Sequence, residues 1–224
     1  MSPRRPCRPQ GVNDAHEIHE AVVAERRGQV ALYSSLDERQ WSAPSLCAGW
    51  TVHQLLAHTT MPFRYSLPRV VLEVVRARGD FDRMADRRAR ADAARLAPAV
   101  LLESLRAHVD HPWAPPGGGP LGALSHDVIH GLDAAVALGR EQHVSRERVV
   151  AVLAGLGPKH LASFGTDLDG VALEATDADW TRGAGAPVRG RAQDLLLAVC
   201  GRPVPAGRLE GAGAARFAPG HIAR

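Results

Sequence analysis

Lysine is nearly missing from this 224-residue chain: Lys159 is the only one among 27 basic residues, so almost all positive charge is arginine. With alanine and glycine abundant as well, a GC-rich coding sequence accounts for this bias. The formal net charge is only +3, and the arginines are scattered among aspartates, which argues against a nucleic-acid partner. Cysteine is sparse too. Cys7, Cys47 and Cys200 are widely spaced, form no CxxC pair and are odd in number, which excludes a disulfide scaffold and fits a reducing cytoplasm. No apolar run approaches the ~20 residues that cross a bilayer. No apolar h-region follows Arg4 and Arg5, so residues 1–12 read as a disordered tail and not a signal peptide. What is present, 45% hydrophobic and 23% charged residues, is the composition of an ordinary globular protein able to bury a core.

Helical periodicity runs from Asp14 to about Glu38, with Ile18, Val22, Val30 and Leu36 among charged neighbours. Trp41 to Trp50 reads as a loop. Thr51 and Gln54 then form a capping box, and Trp50 before the cap is placed to staple onto Leu55, so a second helix starts here. Pro62 bends or interrupts it before the apolar stretch 67–75. Residues 76–95, dense in Arg and Asp, read as a solvated helix surface and connecting loop. A third helix carries Leu96, Val100, Leu101 and Leu105 on its apolar side. The breaker 115–120 precedes a fourth helix that stops at Leu138 and Gly139. Beyond lie one helix over 146–164, a strand over 170–176, a glycine-rich segment and a short apolar helix from Ala192 to Val199. The expected organisation is an all-α four-helix domain over residues 13–142 and a small α+β domain over 143–224.

Three histidines carry the chemical signal. His126 and His130 are spaced i, i+4, so both imidazoles fall on one helix face within reach of a single ion. His58 on the capped second helix supplies a third nitrogen. Three protein ligands with positions left open are the pattern of a catalytic metal rather than a structural one. A helical wheel pulls the other way: Leu121, Leu124, Val128, Leu132 and Ala135 form the apolar stripe, and the histidines lie opposite, where they face water if that side is open. Against this, Gly117 to Gly139 contains no Arg, Lys or Glu, although the chain is rich in arginine. A solvent face recruits such residues, so both sides of this helix are expected to be covered, and a covered polar cluster needs a partner such as a metal.

The stretch WSAPSLCAGWTVHQLLAH (residues 41–58) resembles the second-helix signature of the mycothiol-dependent maleylpyruvate isomerase family, within the DinB-like superfamily. HGLDAAVALG (130–139) is similar to the fourth-helix signature, and WTRGAGAPVRG (180–190) with DLLLAVCGR (194–202) to the C-terminal domain. The resemblance implies a DinB-like four-helix bundle holding a divalent metal, commonly zinc, while three imidazoles by their chemistry suit nickel, iron or copper as well. By position the ligands are His58, His126 and His130. The isomerase itself has glutamate where this chain has His126, whereas many DinB-like relatives use three histidines. Three neutral ligands leave the metal's charge uncompensated, which makes it a stronger Lewis acid and leaves the particular reaction open.

The resemblance also implies a basic residue for an anionic substrate or thiol. Arg202 is the first candidate for that catalytic role, with a surface arginine at a helix C-terminus as the other reading. Arg88 is a weaker, cofactor-binding candidate, in competition with Arg87 and Arg90. Asp133 is placed either to orient a ligating imidazole or as an ordinary helix-surface aspartate. The implied function is a mycothiol-dependent isomerase or S-transferase acting on a small electrophile, with no protein cysteine as nucleophile; Cys47 reads as a packing residue. A non-catalytic metal- or ligand-binding protein on the same scaffold, and a thiol-independent metal hydrolase, remain open beside it.

Overall fold

The computed structural model describes residues 15–140 and 144–218; the expected tail over residues 1–12 lies outside them. The N-terminal part is all helical: α1 (Ala15–Ser34), α2 (Glu38–Ser42), α3 (Val52–Thr59), α4 (Met61–Arg64), α5 (Leu67–Arg76), α6 (Phe81–Ala93), α7 (Pro98–Arg106) and α8 (Gly119–Ala135). Helices α1, α7, α3 and α8 pack in a closed ring, each against the next, which makes the expected four-helix bundle. Their apolar interior includes Leu32, Leu55, Leu56, Leu101 and Leu105.

The capping box that marks α3 is formed. The Thr51 hydroxyl accepts from the Gln54 amide at 3.2 Å, and the Thr51 amide donates to Gln54 Oε1 at 2.9 Å. Pro62 falls in the first turn of α4, so the chain breaks at Thr60 and resumes helically one residue later. A second capping box, Asp37 with Gln40, starts the short α2 inside the region read from sequence as helix and loop.

The charged stretch 76–95 departs from expectation. Beside the solvated helix surface and connecting loop expected there, it contains in α6 a 13-residue helix whose other face packs along α3. Met84, Ala85, Ala89 and Asp92 are its buried residues, too small and too polar to register as an apolar stripe. The aspartates are consumed by specific partners: Trp50 Nε1 donates to Asp86 at 2.8 Å, and Asp92 takes Arg64 at 2.8 Å and Arg88 at 2.6 Å. Val100, placed on the apolar side of α7 by the sequence reading, is 53% exposed; the helix turns Leu101 and Leu105 inward instead.

The C-terminal part comprises α9 (Arg146–Gly155), α10 (Pro158–Phe164), β1 (Val171–Ala175), β2 (Thr181–Gly183), β3 (Ala186–Gly190), α11 (Ala192–Val199) and β4 (Leu209–Glu210). The single helix expected over 146–164 is two, because Gly157 is extended and Pro158 cannot donate the amide needed to carry the helix through. The sheet order is β2-β1-β3-β4, with β1 and β3 parallel and both outer pairs antiparallel. Gly185, at φ +132°, lies where a Cβ would strike the Gly170 carbonyl, which fixes glycine in this turn. Helix α11 is buried along its whole length against the sheet, α8 and α9. One apolar core therefore runs continuously from Leu124, Val128 and Leu132 of α8 through Val152 and Leu195 to Leu173 and Val188 of the sheet. Helix α8 is thus gripped by α1 on one flank and by the C-terminal layer on another.

The close α1–α8 approach carries a buried carboxylate. Gly131 makes room for it, since a Cβ there would sit 2.7 Å from Glu25 Oε1. Burial pushes the Glu25 carboxyl up to about 7, and the Arg148 ion pair only partly offsets this. The folded-state value lies above the ordinary 4.5, so the folded protein holds this proton more tightly than the unfolded chain does. Stability is then greatest below about pH 4.5 with respect to this group and falls as pH rises towards 7. Urea unfolding of wild type is expected to lose on the order of 2–3 kcal/mol across that window. Glu25→Gln should lack this component; equal pH slopes for the two proteins would contradict it.

Candidate metal centre

His58 is delivered by the last turn of α3, and His126 and His130 by successive turns of α8. The three side chains converge: one potential ligand atom from each lies within 4.8 Å of the others. Ring centroids are 5.5 Å apart for His58 and His126, 5.0 Å for His58 and His130, and 4.8 Å for His126 and His130. The covered flank inferred from the missing charges is real, since the His126 and His130 side chains are only 16% and 12% exposed. Trp50 packs on His58 at 4.9 Å and Trp113 on the edge of His126 at 5.1 Å, so indole rings wall the cluster.

Both histidines of α8 are held by the same device. His130 Nδ1 is 3.0 Å from Asp133 Oδ2, and Asp133 in turn accepts a two-pronged contact from Arg202, Nε to Oδ1 and Nη2 to Oδ2, each at 3.1 Å. His126 Nδ1 is 2.8 Å from Asp127 Oδ1, and Asp127 Oδ2 accepts from Arg26 Nε at 2.7 Å. Each imidazole thus has its Nδ1 proton engaged by a carboxylate clamped by an arginine, which fixes the tautomer and leaves Nε2 with its lone pair. Arg26 is itself anchored, with Nη1 donating to the His111 carbonyl at 2.6 Å, and Gln29 Nε2 holds the Asp127 carbonyl at 2.6 Å.

Electrostatics favour ligand-ready groups. Burial, then the neighbouring His130, His126 and Arg202, hold His58 well below its ordinary value; burial also lowers His130. Neutral imidazoles are the form a metal requires. Burial pushes the Asp133 carboxyl up, but Arg202 and His130 outweigh it and leave it below the usual range, so it is an anion. His58 Nδ1 is buried without a hydrogen-bond partner among the described residues. Such an orphan beside two oriented imidazoles fits an all-nitrogen site for a divalent metal.

The sequence-derived candidates divide. His58, His126, His130, Asp133 and Arg202 come together. Arg88 belongs to another cluster, where Nε donates to the Tyr65 hydroxyl at 2.6 Å and Nη2 to Asp92 at 2.6 Å, tying α6 to the end of α4. Arg87 pairs with Glu73 and Arg90 with Asp86. Sequence reasoning missed Asp127 and Arg26. Asp127 was discoverable as the only other charge on the Arg-free helix; Arg26, inside Glu25-Arg26-Arg27, looks like any solvated charge run.

A cleft of about 460 Å³ opens beside His126 and His130, between the loop before α8, one face of α8, and the α9–α10 corner, with Arg202 in its wall. Its size is that of a small-molecule site. Residues 22–114 match the family model of the mycothiol maleylpyruvate isomerase N-terminal domain, a span that includes α3 with His58 and ends before α8. A search of curated proteins finds no match. Two crystal structures of mycothiol-dependent maleylpyruvate isomerase are similar over 90% of this chain and 94% of theirs. A histidine-to-alanine mutant aligns at 16% identity with a TM-score of 0.62, and a second structure of the enzyme at 15% with 0.58. At that identity the likeness establishes the fold. Residues 22–114 are thus similar to the mycothiol maleylpyruvate isomerase N-terminal domain, on a chain that shares the fold of that isomerase over 90% of its length.

Proposed function

We propose that the protein is a metal-dependent enzyme in which the sulfur of a low-molecular-weight thiol, mycothiol or a close analogue, attacks a small electrophile. Addition followed by elimination gives isomerisation, and displacement gives S-transfer. The observation that carries this reading is the convergence of His58 with His126 and His130, the latter two lining the cleft. When bound there, a divalent metal, zinc before nickel or iron, supplies Lewis acidity that stabilises a thiolate at neutral pH.

The chain's own residues fit the rest. Asp127 and Asp133 keep the Nδ1 protons of the two α8 imidazoles in place, and Arg26 and Arg202 hold those carboxylates in position. Trp50, Trp113 and the cleft walls limit water around the reacting atoms. Neither described cysteine is suited as nucleophile. Burial pushes the Cys47 thiol up to about 11 and the Cys200 thiol up to about 12, so both stay protonated, which favours a sulfur supplied by a small-molecule thiol. Arg202, lining the cleft with its charge on Asp133, serves as a positioning residue for His130.

The test has two stages. Elemental analysis of the purified protein is expected to give one divalent metal per chain. Metal-loaded protein is then assayed on maleylpyruvate and on a panel of small electrophiles, with and without mycothiol. Turnover that needs both metal and thiol supports the proposal. Metal without thiol-dependent turnover shifts the assignment to a binding protein, and turnover without thiol to a hydrolase.

A further inference from the structure

The geometry points to an uncharged, apolar body as what the cleft takes, with at most one anionic or electron-rich end directed at the three histidines. This rests on the reading of the trio as the reactive end of the cleft. Away from His126 and His130 the walls are Pro115, Leu121, Ile129, Leu156 and Phe164, together with glycine backbone. Among the described residues Arg202 is the only arginine in the lining, and no lysine is there. It has no net charge to offer a second anion, because Nε and Nη2 are spent on Asp133 and Nη1 donates to the Cys200 carbonyl at 2.9 Å. The Ser125 hydroxyl already donates to the Leu121 carbonyl at 2.8 Å. His160 stands exposed, with Nδ1 accepting the Gly157 amide at 3.0 Å, so a polar group beside it remains in solvent.

A carboxylate pressed among proline, leucine and phenylalanine gives up its water and gains no partner, which is strongly unfavourable. A ligand with carboxylates at both ends places one of them there. An aryl or alkyl body in the same position gains burial instead. The cleft therefore discriminates against dianions in favour of apolar electrophiles of similar length.

The test is binding, read by calorimetry on zinc-loaded protein, with 4-phenylbutyrate against adipate as probes. The two share one carboxylate and differ in whether the far end is apolar or charged. The aryl acid is expected to bind at least about tenfold more tightly. Phe164→Arg, which plants a cation on the wall, should bring the two affinities together, mainly by improving adipate. Equal affinities in the wild type, tighter adipate, or no binding of either acid would each overturn the inference. The reading of the histidine trio fails separately, if the protein retains no zinc before a probe is added.

Discussion

Asp133→Ala is expected to be the most damaging single substitution outside the apolar core, with a loss of about 3–5 kcal/mol in folding stability. Asp133 is fully buried, and the Arg202 side chain is 16% exposed at the cleft wall. Removing the carboxylate leaves a guanidinium in the interior with only the Cys200 carbonyl as a remaining partner among the described contacts. The cost of stranding that charge exceeds anything a packed apolar replacement recovers. The same change releases His130 Nδ1, so the imidazole samples the wrong tautomer and orientation, and metal affinity should fall about 10–100-fold. Chemical denaturation and chelator competition read the two effects independently. The double variant Asp133→Ala with Arg202→Met removes both charges. It should recover much of the stability while leaving metal affinity low. Recovery of both would assign the pair to packing alone.

His58→Ala is expected to act in the opposite way, with metal affinity weakened by roughly a hundredfold or more and stability of the metal-free protein hardly lowered. The wild-type imidazole is held neutral by burial, and its Nδ1 has no hydrogen-bond partner among the described residues. Without a metal it is a buried polar group with an unmet need, so trimming it relieves that cost while opening a small void beside Trp50. The measurement is thermal unfolding with and without added zinc. Wild type should gain several degrees from zinc and the variant none. A variant stabilised by zinc as much as wild type would remove His58 from the ligand set.

These two responses bear on what the sequence disclosed. Helix α3 was legible because its start is encoded locally, in a Thr51–Gln54 reciprocal cap with an apolar staple. Helix α8 was legible through an absence, since the lack of Arg, Lys and Glu over 117–139 showed that both flanks were covered. The packed face of the long α6 was not legible. Its buried side is Met84, two alanines and an aspartate, and it is held by pairs such as Arg64–Asp92 and Trp50–Asp86 that only tertiary structure defines. The break at Gly157–Pro158 was written in the chain, but the apolar periodicity on either side masked it. At the site, the ligand spacing was visible and half of its support was not. Asp133 lies three residues after His130, the spacing at which helix side chains meet. Asp127 is adjacent to His126, a spacing at which they ordinarily do not, and its arginine comes from 101 residues away.

The two arginine clamps also set an order of events in synthesis. Arg26 is made before any of the three histidines, but Arg202 follows His130 by 72 residues. At ordinary translation rates that interval is roughly 4–14 s. During it the nascent chain already holds three imidazoles while Asp133 still lacks its guanidinium partner. Firm metal capture should therefore wait for the C-terminal layer to close on α8, so that ions picked up early and loosely can still exchange. On the proposed metal-dependent reading, the position of one arginine in the chain makes metal retention a signal that the layer carrying the cleft's other wall has folded.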